Sequence, residues 1–512
     1  MGRKVPLKIA VKWGREIYPD IELDTDLEPI VFKAQLFALT GVLPERQKVM
    51  VKGAIIKDES WGNVKGKIDD NTVVLMMGSK EEDVPTEPSA KPIFLEDMCV
   101  TEIASVTNTP AGLANLGNTC YMNATVQCLK TVPELRKSLK TFQGGLGISG
   151  GMISAQSVTA ALRDLYEMMD KGLSVPPIML LQVMQMAFPR FAEKNENGTF
   201  VQQDANECWT EIIRMLQQKL PSLTNEGFQS KYQFFIDQYF GGVFEVEWKC
   251  EECEEEPVTK SDETFLQLSC FISQDVKYMN TGLKSKLQEK ITKHSQCLNR
   301  DAVFTKTSKI KRLPAYLTVQ FVRFFYKEKE AVNAKILKEV KFPLEFDAFD
   351  LCTPELQSML LPMREKFDLE EEKHLQKSEQ LKEIGAGDSY NRKMKKTSDS
   401  EKSNVSVEPF SFSNDLGSNN SGYYSLQAVL THRGRSSSSG HYVAWIRQTK
   451  DCWIKCDDDM VTPVASEDIL KLCGGGDWHC AYVLLYGPKV LEISETSLNP
   501  KSDASQGDLS LK

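Results

Sequence analysis

The chain of 512 residues has a net charge of −9, a hydrophobic share of 41% and 13 cysteines. This acidic balance argues against nucleic acid as the main partner, the length calls for more than one domain, and no apolar run reaches the length of a membrane span. The cysteines are odd in number and scattered without a disulfide framework, and no signal peptide opens the chain, so free thiols in a reducing compartment are expected, the cytoplasm with the nucleus as a second location.

Residues 4–78 read as a small compact domain. Leu7-Lys8-Ile9-Ala10-Val11-Lys12-Trp13 alternates apolar and polar, as a half-buried strand does, and Gly14 breaks it before Ile21-Glu22-Leu23 starts a second strand. Pro29 to Leu39 carries apolar residues at helical spacing and stops at Gly41. Lys48–Lys52 and Thr72–Met77 are two more strands. This order, with its Val51-Lys52-Gly53 strand end, resembles the ubiquitin-like β-grasp fold. Residues 79–105 form a linker that opens with an acidic, proline-bearing stretch, Lys80–Pro92.

Glycines and asparagines from Gly112 to Asn118 then lead straight into Cys120, after which Tyr121, Ala124, Thr125 and Cys128 recur at helical spacing. Cys120 is therefore expected in the first turn of a helix, where free N–H groups and the helix dipole favour a thiolate. By these residues alone it is either a nucleophile or a buried structural cysteine. The run from Gly112 to Gln127 resembles the cysteine box of the ubiquitin-specific proteases, papain-like deubiquitinating enzymes built of thumb, palm and fingers. The resemblance makes Cys120 the nucleophile and Asn115 an oxyanion-hole side chain, and it extends over most of residues 106–488.

Downstream, Thr131-Val132-Pro133-Glu134 has the pattern of a capping box, and Asp204 and Glu207 that of reciprocal caps on a helix with an apolar stripe from Trp209 to Leu220. The family resemblance places Gln203 and Asp204 beside the substrate cleft. Cys250-Glu251-Glu252-Cys253 resembles the opening half of a four-cysteine zinc site in the fingers. Ser295 and Leu298 stand where the second pair belongs, and Cys297 and Cys270 are single, so the site reads as a remnant and no metal or cofactor is expected. Leu313 to Phe324 is a core strand and Lys327–Glu330 a solvated loop. Residues 364–407 are a charged insertion, with Arg364–Ile384 compatible with a helix and the rest disordered; 489–512 is a similar tail.

Two strands follow the insertion, Tyr424–Leu430 and His441–Ile446, and then Trp453–Asp459 after a turn. With the hairpin centred on Thr449, His441 and Asp457 stand directly opposite, and Asp458 points to the other face. A thiol, an imidazole to take its proton and a carboxylate to fix the ring's tautomer make a cysteine hydrolase. Gly440-His441-Tyr442-Val443-Ala444-Trp445 also resembles the family's histidine box, which implies the same His441 and Asp457; His432 and His479 are the alternatives. Gly474–Trp478 reads as a loop over the cleft and Ala481–Tyr486 as a closing core strand. Arg433 and Arg435 precede Ser438 at the spacing of a basophilic kinase site, so Ser438 is a candidate regulatory residue.

The expected architecture is α+β, a ubiquitin-like domain followed by a papain-like protease domain. The resemblance implies a deubiquitinase that hydrolyses the isopeptide bond after the C-terminal glycine of ubiquitin. Its implied partners are ubiquitin conjugates and, through the N-terminal domain, the proteasome regulatory particle. The rival reading is a non-catalytic ubiquitin-binding adaptor or scaffold acting on the proteasome.

Overall fold

The computed structural model describes residues 6–70, 72–80, 109–147, 153–172, 174–224, 230–327, 332–385, 405–436 and 439–494. The expected linker after Lys80, the second half of the charged insertion, the tail beyond Ser494 and the candidate Ser438 lie outside these residues. The chain forms two compact units, Met1–Met98 and Cys99–Lys512.

In the first unit, Leu7–Trp13 and Glu16–Leu23 form a hairpin. The second strand begins earlier than its apolar pattern indicates. Leu7–Trp13 also pairs in parallel with Val73–Met77, which pairs with Lys48–Val51 and, through it, with Ala54–Ile55. The helix Pro29–Thr40 buries Phe32 and Leu36 against Ile9, Val11, Val49, Val51, Val74 and Met76. It ends at Gly41 in the left-handed conformation, whose N–H bonds to the Phe37 carbonyl. This is the mixed sheet with one covering helix that defines a β-grasp.

Among the described residues, the second unit combines a helical layer with two large sheets and three two-stranded ladders. Its larger sheet runs in the order 268–271, 317–322, 480–488, 423–436, 439–447, 452–457 and 460–465, with Glu345–Asp347 pairing beside 423–436. The core strand Leu317–Val322 and the closing strand Cys480–Pro488 are almost wholly buried, which explains their unbroken apolar runs. The smaller sheet runs in the order 288–295, 300–312, 242–250 and 259–265, and its two edge strands are largely exposed. The helices Cys120–Lys130, Ile153–Met169 and Ala205–Gln217 share one core with the sheet through Val126, Leu129, Leu162, Ile212, Leu216, Ala444 and Ile454.

Two local expectations need correction. Thr131 does not cap the helix Pro133–Thr141: Val132 occupies the N-cap, the Thr131 hydroxyl turns back to the Cys128 carbonyl, and Glu134 accepts from Tyr316 Oη. Asp204 does cap its helix, accepting from the N–H groups of Asn206 and Glu207, but the Glu207 side chain pairs with Arg190 instead of returning to the cap. Phe324–Lys327 and Val332–Lys335 pair as an antiparallel ladder; of the expected loop Lys327–Glu330, Lys327 ends the first strand and residues 328–330 lie outside the described residues. Arg364–Ile384 lies within one helix, Pro354–Gly385.

Candidate active site

Cys120 opens its helix and is buried, 2% exposed. The loop that presents it turns through two left-handed residues, Gly117 and Asn118. It is held by its own side chains: Asn115 Oδ1 accepts from the N–H groups of Gly117 and Thr119, and Thr119 Oγ1 accepts from Leu116 N–H. Gly112 lets this segment touch the turn after Asp457, because a Cβ there would stand 2.4 Å from the Asp459 carbonyl oxygen. The helix packs on the strand Ser439–Arg447, and this packing brings Cys120 to His441.

His441 Nε2 stands 2.6 Å from Asp457 Oδ1. The carboxylate can only accept, so Nε2–H donates and Nδ1 is left for the thiol. Asp457, then Cys120, push the imidazole up from 6.5 to about 10. The same His441 bond, with Lys455 on the other oxygen at 2.7 Å, holds Asp457 well below the ordinary carboxylate range. At neutral pH the ring is therefore an imidazolium between a carboxylate and the Cys120 sulfur.

The hairpin argument for Asp457 needs a correction of register. Ala444 pairs with Cys456 and Arg447 with Trp453, so the centre is at Lys450 and not Thr449. Asp457 falls across from Val443 and reaches His441 diagonally on the same face. The period-two choice of Asp457 over Asp458 survives, because the slip moves the opposing position by two residues and keeps the face.

Asp458 has a role that strand parity hides. It leaves the strand with φ of 53° and turns toward the nucleophile loop. Its Oδ2 accepts from Asn115 Nδ2 and its Oδ1 from Asn123 Nδ2, both at 2.9 Å. Asn115 is thereby fixed with its amide nitrogen beside the thiol helix. The only sequence signal for this is the triple aspartate at the hairpin end.

The alternative histidines are not placed for catalysis. Burial pushes His432 down to about 3 and His479 to about 4, so both are neutral. His432 meets the Ser439 carbonyl, and His479 faces Thr431 Oγ1. Gln203 reaches only the Val201 carbonyl, weakly, at 3.4 Å. Asp204 accepts from Tyr482 Oη at 2.9 and 2.8 Å as well as capping its helix, which ties the helical layer to the sheet beside the cleft.

Among the described residues, His441, Asp457 and Asp458 form the one cluster whose donor atoms lie close enough to share a cation. Their atoms are spent on one another, on Lys455 and on the two asparagines, which suits proton chemistry better than ligation. In the fingers, Cys250 is buried with Ala302 and Phe304, and Cys297 is not alone: its thiol lies against Cys253. Ser295, at the expected position of a third ligand, donates to Glu256 at 2.5 Å.

Residues 111–486 match the family described as ubiquitin carboxyl-terminal hydrolase. The chain belongs to this family. It is a thiol-dependent ubiquitin hydrolase, a deubiquitinating cysteine peptidase. Ubiquitin carboxyl-terminal hydrolase 7 of Arabidopsis thaliana is 40% identical over 494 residues, covering 95% of this chain and 100% of its own. Ubiquitin carboxyl-terminal hydrolase 14 of Caenorhabditis elegans is 39% identical, covering 94% of each. Ubiquitin carboxyl-terminal hydrolase 6 of Schizosaccharomyces pombe is 39% identical, covering 94% and 99%. Such alignments run through the N-terminal unit as well as the hydrolase domain.

Proposed function

We propose that Cys120, His441, Asp457 and Asn115 carry the hydrolysis, and that the N-terminal unit docks the enzyme on the proteasome. The observation that carries the first part is the convergence of the helix-borne thiol, the imidazole and the carboxylate. With its proton already held on His441 Nδ1, the Cys120 sulfur attacks the carbonyl of the C-terminal glycine of ubiquitin. The oxyanion that forms is held by the free N–H of the Asn115 amide and by backbone N–H groups at the start of the helix. His441 then returns the proton to the departing lysine amine. A water activated by the same ring cleaves the thioester and frees ubiquitin.

Docking is supported by the uncovered face of the first unit's sheet. Val73, Leu75 and Met77 alternate outward along one strand at 53%, 42% and 56% exposure. Met50 and Ile55 continue the patch, and Lys12 and Lys48 pair beside Leu75 and Met77. An apolar centre with a basic rim suits a protein surface with an acidic rim. In this reading the enzyme releases ubiquitin from conjugates held at the proteasome, in the cytoplasm and nucleus.

The test is labelling by ubiquitin bearing a C-terminal thiol-reactive group, with and without purified proteasome, for the wild type and for Leu75→Glu. Labelling of Cys120 that rises with proteasome in the wild type and not in the variant supports both parts. Equal labelling throughout removes the docking role and keeps the hydrolase; labelling that survives Cys120→Ala removes the assigned nucleophile.

A further inference from the structure

The Asp457 carboxylate has two oxygens, and the reaction uses one. Oδ1 holds His441; Oδ2 is held by Lys455 Nζ at 2.7 Å. Lys455 sits two residues before Asp457 on the strand Cys452–Asp457, so both side chains rise from the same face as His441. Its side chain is partly sheltered, 27% exposed, and the ammonium lies 5.8 Å from the centre of the Trp445 ring, directly across in the ladder. Trp445 is itself fixed: its indole N–H donates to Thr431 Oγ1 at 2.9 Å, and both residues are buried. His479 closes this wall, edge-on to Trp445 and 6.4 Å from the His441 ring centre.

We propose that Lys455 is a positioning residue for hydrolysis, a clamp on Asp457 Oδ2 that sets the angle at which Oδ1 meets the His441 ring. A carboxylate held at one oxygen turns about its last torsion, whose well is broad. One held at both oxygens, by an ammonium fixed on a buried indole, does not. The charge also serves: a cation on Oδ2 keeps the carboxylate ionised while His441 cycles between neutral and protonated forms. Thr431, Trp445 and Lys455 thus form a chain of supports ending on the acid. Lys455 touches neither Cys120 nor the expected site of the scissile bond. The inference rests on the Cys120–His441–Asp457 reading above.

The experiment compares wild type, Lys455→Met, Lys455→Arg and Cys120→Ala in the full chain, on a fluorogenic ubiquitin amide. In Lys455→Met, which keeps the stem on Trp445, kcat is expected to fall about 10- to 100-fold with KM within about twofold. Lys455→Arg is expected to restore most of kcat. The downfield proton resonance of His441 Nε2–H is expected in wild type and Lys455→Arg, and to weaken or vanish in Lys455→Met. Ubiquitin affinity, measured in a Cys120→Ala background, is expected to stay the same. An unchanged kcat in Lys455→Met overturns the proposal, as does a change confined to KM or to affinity. So does a loss of kcat with the Nε2–H resonance intact, which would be a structural effect only. Activity remaining in Cys120→Ala would instead overturn the underlying triad, a result separable from all of these.

Discussion

Among the described residues, the hydrolase domain holds two histidine–aspartate pairs on neighbouring antiparallel strands, each with a cysteine nearby. In the fingers, His294 and Asp301 are directly opposite in the ladder. Their nearest side-chain atoms, His294 Nδ1 and Asp301 Oδ1, are nevertheless 3.8 Å apart, with 60% and 75% of the side chains exposed, and Cys297 lies at the hairpin end. On the catalytic wall, His441 and Asp457 are only diagonal neighbours, yet they meet at 2.6 Å with 35% and 29% exposed. Ladder position is therefore not what makes the pair. The difference lies in what stands behind it: Lys455 holds the second carboxylate oxygen, and a buried helix end presents the thiol. Water screens the first pair and leaves its side chains free; packing orders the second.

The sharpest way to break this comparison is to remove the reacting groups one at a time. Cys120→Ala and His441→Ala are each expected to lower kcat on a fluorogenic ubiquitin amide by about 10⁴-fold or more, whereas Cys297→Ala and His294→Ala leave it unchanged. Asp457→Asn is expected to cost about 10²- to 10⁴-fold through loss of ring orientation, against no measurable change for Asp301→Asn. Asp458→Ala frees Asn115 and Asn123 together and is expected to lower kcat about 10- to 100-fold with little change in KM, as removal of an oxyanion donor does.

Stability supplies finer tests of the same wall. His441 has its folded-state pKa raised from 6.5 to about 10, so the protonated ring stabilises the fold. That contribution is complete below pH 6.5 and is lost as pH climbs through about 10. The gap in denaturant midpoint between wild type and His441→Gln should shrink over this window. Thr431→Val leaves the buried Trp445 N–H without its acceptor and is expected to cost about 1–3 kcal/mol, read from the same denaturant curves.

Much of this arrangement was legible in the sequence, because it depends on local signals. The Gly-Asn run ahead of Cys120 does make a left-handed turn into a helix, Val73–Met77 is the strand that its apolar run indicates, and Asp204 caps where its position indicates. What was hidden depends on geometry between distant segments. The register of the hairpin is set by where its turn closes, and Gln448 and Thr449 both bond to the Cys452 carbonyl, which moves the centre to Lys450. Strand parity points Asp458 away from His441, but parity no longer applies once the chain leaves the strand with a positive φ. The contact of Cys297 with Cys253 joins two turns, one after strand 242–250 and one before strand 300–312, that antiparallel pairing brings to the same end of the sheet, and no spacing rule covers it. Lys455 is in sequence an ordinary polar position of a half-buried strand, and only its contact with Asp457 distinguishes it.

The most direct measurement is peptide mapping after reaction with ubiquitin carrying a C-terminal thiol-reactive group. The chain has 13 cysteines, and the account predicts that Cys120 alone forms the adduct and that Cys120→Ala forms none. An adduct on any other cysteine, the exposed Cys297 in particular, would contradict it.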